Sequence, residues 1–340
     1  MIRILMITSE WPTPERPQTT PFIKRQADFL QAAGVDVDVF HFKGRKNPLN
    51  YVRAWLRVQR KLSSHSYDLV HAQFGQSALL ALPRRVPLVV TFRGSDLLGH
   101  LGDKDARPTF RGKLLQQICR LLALRANAVI VVAEHMKRHL YRSTRAHVVP
   151  SGIDMDLFCC VPQDEARRKI GLPLDERLIL FVGRPGWAGK RFELSEQAVE
   201  ILNRNLPAKL VVAGNVDHRT IPLYMNACDA LVFTSAQEGS PNVIKEALAC
   251  DLPIVSVDVG DVASRIGQIE GCEVCADDRP ETIAASLDRV LRRGQRIAGR
   301  ESVKSLDENI TTRQVIDIYQ KVMVSRPGTE LGRLAADTTN

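Results

Sequence analysis

Asp229-Ala-Leu-Val-Phe-Thr-Ser-Ala-Gln-Glu-Gly-Ser-Pro-Asn-Val-Ile-Lys-Glu-Ala-Leu-Ala249 packs a strand, a turn and a helix into one short segment. The apolar run predicts a buried strand over 229–234. Glu238 and Gly239 make a short loop, and Ser240-Pro241 reads as an N-cap followed by proline at the first helical position, with the helix over 241–250. The first amides of such a helix, around Asn242 and Val243, have no partner within it, and its dipole favours an anion such as a diphosphate. Glu238 stands just before the helix and Glu246 two turns into it. Eight steps of 100° leave the two about 80° apart, near one face. Carboxylates are strong acceptors for hydroxyls, so the pair suits a ligand with sugar rings on either side of phosphate. A capped helix with solvated glutamates has the same spacing.

Outward from this segment, strand-length apolar runs alternate with amphipathic stretches along the chain, the pattern of parallel α/β architecture. Strands are expected at 2–8, 35–42, 69–72, 87–92, 128–133 and 147–149, with helices at about 22–33, 50–63, 112–125 and 135–142. Past Ser151-Gly152 the pattern turns irregular through Cys159-Cys160, Pro162, Gly171 and Pro173, which reads as a linker. A second series has strands at 178–183, 208–213, 229–234, 253–257 and 272–276, helices at about 192–205, 241–250 and 280–293, and a last helix at about 307–323. The expectation is two doubly wound Rossmann-like units facing each other across a cleft, with ligands at the carboxyl ends of the strands.

The chain has 340 residues, 44% hydrophobic and 25% charged, and a mean hydropathy near zero. That describes a soluble globular chain of two domains and excludes disorder, collagen and spanning helices. No export signal is read at the start, and seven cysteines in such a chain are expected to be reduced thiols. Charge is uneven: residues 1–150 hold 24 Lys and Arg against 10 Asp and Glu, a balance of +14, while the remainder holds 23 against 28. A basic half points to an anionic membrane surface, nucleic acid or a phosphorylated substrate, or else to a solvated basic face. Other motifs are absent or weak. No G-x-G-x-x-G follows the first strand and no P-loop occurs, which removes nicotinamide oxidoreductases and P-loop NTPases. Cys272 and Cys275 lack a second ligand pair, and His135 and His139 lack the zincin order, so no metal is expected.

Glu238-Gly-Ser-Pro-Asn-Val-Ile-Lys-Glu246-Ala resembles the E-x7-E motif of retaining glycosyltransferases of family 4, two-domain GT-B enzymes that use nucleotide sugars. Pro150-Ser-Gly-Ile-Asp154 with Phe158 resembles the family's Pro-Asn-Gly-Val-Asp stretch at the domain junction. Phe181-Val-Gly183-Arg184 followed by Lys190 resembles the Gly-Arg and Lys pair that holds the donor diphosphate. Leu252-Pro-Ile-Val255 and Gly260 resemble the segment after the motif helix. The resemblance implies that Glu246 bonds the nucleotide ribose and Glu238 sits at the donor sugar. It further implies that Gly239, Ser240, Pro241, Asn242 and Val243 line the phosphates or sugar, and that Arg184 and Lys190 neutralise the leaving diphosphate, with Arg191 as the substitute for Lys190.

There are departures from the family pattern. Thr91-Phe-Arg-Gly-Ser-Asp96 stands where Thr-x-His-Gly-x-Asp is usual, so Arg93 replaces a histidine expected at the donor sugar; Arg93, Asp96 and Glu10 are the candidates for sugar or acceptor contact. Pro17-Gln-Thr-Thr-Pro21 lacks a Gly-Gly pair, and Cys250-Asp251 replaces a small residue plus Gly.

The expected organisation is an acceptor domain at 1–155, a nucleotide-sugar domain at 156–305, a C-terminal helix at 306–324 packing back toward the first domain, and a mobile tail at 325–340. The expected activity is retaining hexosyl transfer from a nucleotide-diphosphate sugar, without cofactor or metal, to a saccharide or lipid-linked saccharide of bacterial surface polysaccharide assembly. A cytoplasmic location is expected, with the basic half, including Arg53, Arg57, Arg60 and Lys61 beside Trp55 and Leu56, peripheral on the inner membrane face. An epimerase of the same fold and a non-catalytic nucleotide-sugar-binding protein are the alternatives. Nucleic acid is not an expected partner.

Overall fold

The computed structural model describes residues 1–13, 19–44, 47–99, 101, 102, 107 and 109–324; Pro17 and Gln18 of the first loop and the expected tail at 325–340 lie outside the described residues. The chain forms two compact units, one built from Met1–Gly99, Arg111–Gly152 and 309–324, the other centred on Ile153–Glu308.

The first unit is a six-stranded parallel sheet. Its elements in chain order are β1 (Arg3–Thr8), α1 (Pro21–Ala32), β2 (Asp36–His41), α2 (Pro48–Ser64), β3 (Leu69–Gln73), β4 (Leu88–Phe92), α3 (Ser95–Leu98), α4 (Phe110–Ala123), β5 (Ala128–Val131) and β6 (Ala146–Val148). The strand order is β2-β1-β3-β4-β5-β6. Parallel strands are covered on both faces, so β1, β3, β4 and β5 are mostly apolar with no exposed residue, the buried exceptions being Thr8, His71, Gln73 and Thr91. A 3-10 turn at Gly75–Ala81 packs with α2 and α4 on one face through Ala54, Val58, Leu80, Cys119 and Leu122.

The other face of this sheet is covered by α1 and by the last helix of the chain. Val315, Ile318, Tyr319 and Val322 share a core with Ile4, Met6, Ile23 and Leu30. Burying four such side chains contributes roughly 6–12 kcal/mol before the entropy of ordering the helix is subtracted. The Tyr319 hydroxyl also lies 2.6 Å from Nδ1 of the fully buried His71, whose Nε2 lies 2.7 Å from the Thr91 hydroxyl. Burial, helped by the Arg93 charge, pushes the His71 pKa down to about 3, so its ring is neutral.

The second unit has α5 (Gln163–Ile170), β7 (Leu178–Val182), α6 (Phe192–Leu202), β8 (Lys209–Ala213), α7 (Ile221–Ala227), β9 (Ala230–Phe233), α8 (Asn242–Ala249), β10 (Ile254–Val257), α9 (Val262–Ile266), β11 (Glu273–Cys275) and α10 (Pro280–Arg293), before α11 (Glu308–Val324) returns to the first unit. Its five parallel strands run β11-β10-β9-β7-β8. In each unit the chain leaves the first strand toward one edge and resumes on its other side, so the topological switch lies between β1 and β3 and between β7 and β9. The crevice outside the carboxyl ends at such a point is where open α/β sheets bind ligands.

Three expectations are corrected. The irregular segment after Gly152 contains a helix, α5, which Gly171 ends in the left-handed region at φ 70°. Residues 135–142 hold a 3-10 turn, Glu134–His139, in place of an α-helix. The motif helix starts one residue later than read: Pro241 has ψ 122°, still extended, so it is the N-cap and Asn242 the first helical residue. Cys250-Asp251 does make the tight turn, with Asp251 at φ 53°. Among the described residues no helix is long and apolar enough to cross a membrane, and no group of three or more His, Cys, Asp or Glu is placed to hold a metal ion.

Candidate active site

In the second unit the carboxyl ends of β7 and β9 bring the two halves of the motif set together. Beyond β7 the chain passes through Gly183 and Arg184 to a 3-10 turn at Ala188–Lys190. Beyond β9 it passes through Glu238 to the start of α8. Although 48 residues separate them in sequence, Lys190 Nζ lies 2.6 Å from Glu238 Oε1, each side chain about one-fifth exposed. The ammonium also lies over the Phe233 ring, 5.2 Å from its centroid, and 5.9 Å from that of Trp187. A partly desolvated cation held by a carboxylate and two rings is preorganised for an anion.

Arg191 is turned elsewhere. Its guanidinium donates to the carbonyls of Thr234 at 2.6 Å and Ser235 at 3.4 Å, and to Asp278 at 2.5 Å. It braces the end of β9 against α6, and the Thr234 hydroxyl, 2.8 Å from that of Ser195, completes the brace. Arg184 is exposed, and no partner for its side chain is found among the described residues.

The loop between β9 and α8 is held by close backbone approach. Gly260, at φ 65°, lies so near that a Cβ there would sit 3.0 Å from the carbonyl oxygens of both Glu238 and Gly239. Only glycine gives that combination of dihedral and space. Gly214, beyond β8, plays a similar part for β7, since a Cβ there would come within 2.5 Å of the Gly183 oxygen.

At the start of α8 no side chain caps the helix. Ser240 is buried and its hydroxyl accepts from Arg265 at 3.3 Å, while Arg265 is paired with Asp261 at 2.7 Å. Ser235 Oγ, Asn242 Oδ1 and Asp261 Oδ1 are buried without a hydrogen-bond partner among the described residues. Such groups are costly unless a bound polar group completes them, and two of them, Asn242 and Asp261, are tied to the helix start, the first as its opening residue and the second through Arg265 and Ser240. Val243 is buried within the unit's core.

Glu246 is buried, its side chain 5% exposed, with Oε1 3.0 Å from His218 Nε2. A carboxylate only accepts, so this ring nitrogen carries the proton. His218 in turn packs on Phe158, ring centroids 5.4 Å apart. The Phe of the junction motif thus supports the imidazole that orients Glu246. His218 was not singled out in the sequence, where Asp217-His218 resembles any turn.

In the first unit, Arg93 stands just past β4 at the carboxyl ends. Its guanidinium donates to Gln73 Oε1 at 2.7 and 3.0 Å, to Gln26 Oε1 at 2.9 Å and to the Ser151 hydroxyl at 2.6 Å, and it stacks on Phe22. Gln26 and Gln73 are further residues that the sequence did not mark, and Ser151 belongs to the junction stretch Pro150–Asp154. Asp96 is buried and its carboxylate accepts from the amides of Gly75, Arg93, Gly94 and Leu97, so it fixes the loop that carries Arg93. Burial raises the Asp96 pKa against those four amides. Glu10 keeps an exposed surface, yet crowding by surrounding protein and then the Asp96 charge raise its pKa too. A separate cavity of about 520 Å³, lined by Gln163, Arg177, Asp229 and Arg296, lies at the amino ends of β7 and β9 and is not part of either cluster.

The family model for Glycosyltransferase Family 4 matches residues 3–157, and that for Glycosyl transferases group 1 matches residues 179–293, together well over half of the chain. The chain belongs to the family 4 glycosyltransferases. This glycosyltransferase is 28% identical to the putative teichuronic acid biosynthesis glycosyltransferase TuaC of Bacillus subtilis, over 86% of this chain and 89% of that one. It is 23% identical to a D-inositol 3-phosphate glycosyltransferase of Jonesia denitrificans, over 81% and 76%. Among solved structures, sucrose-phosphate synthase of Thermosynechococcus elongatus superposes with a TM-score of 0.77 at 16% identity, over 96% of this chain and all of that one. Anabaena HepE in complex with UDP-glucose gives a TM-score of 0.68 at 18% identity, over 94% and 100%. These likenesses show the GT-B fold, two parallel-sheet α/β domains.

Proposed function

We propose that this glycosyltransferase moves a hexose, with retention of anomeric configuration, from a nucleotide-diphosphate sugar held by the second unit to a saccharide acceptor carried on a lipid and bound by the basic first unit. The observation that carries the donor assignment is the start of α8. Uncapped amides, the unpartnered oxygens of Asn242 and Asp261, the Lys190–Glu238 pair just before the helix and the buried Glu246–His218 pair within it belong to that segment. An anion with hydroxylated rings on both sides satisfies all of them. Glu246 accepts from the ribose hydroxyls, the amides of Asn242 and Val243 hold phosphate, and Glu238 accepts from the donor sugar.

Retention needs attack on the face from which the diphosphate departs. The bond from the anomeric carbon to the phosphate oxygen breaks as the acceptor oxygen bonds to that same face, and the acceptor's proton passes to the departing phosphate oxygen. Lys190, Arg184 and the α8 dipole stabilise the charge that develops on the diphosphate. Those positive groups do the work a divalent cation would otherwise do, so turnover is expected to survive chelation. Glu238 positions the sugar and forms no covalent bond. The lipid-linked acceptor is supported by the +14 balance of residues 1–150 and by the likeness to TuaC, whose name places it in teichuronic acid biosynthesis. HepE was solved with UDP-glucose, which makes uridine nucleotides the first to try.

The test is a thermal-shift screen against nucleoside diphosphates and their sugar conjugates, followed by donor hydrolysis for each hit. Saturation at about 100 times Kd stabilises by about 2.7 kcal/mol, a shift of several degrees. Stabilisation by one nucleotide family is the expected result; no shift with any would overturn the donor assignment.

A further inference from the structure

The first unit has two helices whose outward faces are apolar. On α4, Phe110, Leu114 and Leu121, with Leu124 in the turn that follows, are 82%, 52%, 55% and 46% exposed. With Gln117 they fall at spacings of 4, 3, 4 and 3, an arc of about 80° on the helix. The opposite side of the same helix, through Cys119, Leu122 and Ala123, is in the core. On α2, Leu49, Val52 and Leu56 are likewise exposed, while Ala54, Val58 and Leu62 are buried in that same core. Leu79, on the 3-10 turn that packs with α2, adds another exposed apolar side chain. Because the inner sides of α2 and α4 cover one face of the sheet, their outer sides look out in one direction.

Charge decides what such a surface meets. Neither helix contains an aspartate or glutamate. Arg53, Arg57 and Arg60 line the α2 stripe, and Arg111, Lys113 and Arg125 flank the α4 stripe on both sides, all exposed. Lys61 and Trp55, grouped with these arginines on sequence grounds, face inward: Lys61 pairs with Asp38, and the Trp55 indole donates to the Leu82 carbonyl. A second copy of the chain on this face would set cations against cations with no carboxylate to pair them. Nucleic acid would leave the leucines unsatisfied, since aliphatic side chains offer bases no stacking platform. Apolar side chains rimmed by arginine and lysine fit the boundary between acyl chains and anionic headgroups.

We propose that the outer faces of α2 and α4 dock this enzyme on the surface of an anionic lipid bilayer, with Leu114, Leu121 and Leu124 entering the headgroup region and the flanking cations pairing with lipid phosphates. The inference deepens the lipid-linked acceptor reading and rests on it for its purpose, whereas the surface itself is independent of it. Full-length protein is floated with vesicles of phosphatidylcholine alone or with 30% phosphatidylglycerol, without donor, over a range of salt. The expected result is retention on the anionic vesicles that weakens with salt and falls at least tenfold in a Leu114→Ser/Leu121→Ser variant. Vesicle-free donor hydrolysis and Tm of that variant should match the parent. Retention equal in parent and variant, or none at low salt, overturns the proposal. So does a dimer in gel filtration that the same substitutions dissolve, which would assign the face to a second copy. Loss of donor hydrolysis in the parent with vesicle binding intact would instead count against the transferase reading.

Discussion

Replacing Glu246 with glutamine separates a structural role from a ligand-binding one. The side chain is 5% exposed and its Oε1 lies 3.0 Å from His218 Nε2. Glutamine keeps the shape and an amide oxygen for that contact, so the fold should lose no more than about 1 kcal/mol, a Tm change of about 2–4 °C. A nucleotide ribose bound as proposed is different, because its hydroxyls would donate to the charged acceptor. Hydrogen bonds to charged groups contribute about 1.5–3 kcal/mol, and the neutral amide forfeits that charge assistance. At 1.4 kcal/mol per decade the substitution should weaken nucleoside diphosphate binding about 10- to 150-fold. Isothermal titration calorimetry of the parent and Glu246→Gln with the diphosphate identified by thermal shift reads this directly. An unchanged Kd in a variant with a parental circular dichroism spectrum would refute the ribose assignment. A fall in Tm beyond 5 °C with parental Kd would instead make Glu246 a residue of the core.

Three further outcomes follow from named contacts. Glu238→Ala should lower turnover by about 10³-fold while leaving the far-ultraviolet spectrum intact if the carboxylate that pairs with Lys190 also acts at the sugar as proposed; near-parental turnover would exclude that role. Gly260→Ala should cost about 1–2 kcal/mol for the left-handed dihedral, and should raise KM for the donor because the new Cβ pushes on the Glu238 and Gly239 carbonyls. Urea unfolding and steady-state kinetics check the two effects. His71 is held neutral with a pKa pushed down to about 3, so its folded pKa is depressed below that of the unfolded chain. Its contribution is therefore full above about pH 6.5 and is lost as pH falls toward 3. Asp96, with a raised pKa, contributes with the opposite sign in the carboxylate range, so the His71 effect is read between pH 6.5 and 5. His71→Gln should flatten the dependence of urea stability on pH in that window.

Much of the architecture is legible from residues because the central strands are buried on both faces and stand out as mostly apolar runs. The helix expected at 280–293 occupies those residues in the structure, since Pro280 starts it and Gly294 ends it at φ 61°. The helix α5 is hidden by its surroundings: Pro162, Gly171 and Pro173 look like a linker, yet the first of them is an N-cap and the second a left-handed stop. Side-chain convergence is harder to read. Arg93 meets Gln26, Gln73 and Ser151, which come from three separate places in the chain, and no local spacing joins them. His218 meets Glu246 only because the carboxyl ends of β8 and β9 lead into the same crevice. The E-x7-E segment was conspicuous because its strand, loop and helix are contiguous.

The interrupted layout of the first unit bears on how the protein is made. Its sheet is finished when β6 emerges from the ribosome, but Tyr319, the partner of His71, is still to come. At 5–20 residues per second the intervening chain takes roughly 10–30 s to synthesise. For that interval Ile4, Met6 and Ile23 stand partly uncovered, and a neutral histidine waits in the sheet without its phenol. The sheet of the second unit comes entirely from Ile153–Glu308 and has no such wait. A nascent chain stalled before residue 309 should therefore present a folded second unit beside a first unit that is still open to chaperones and proteases.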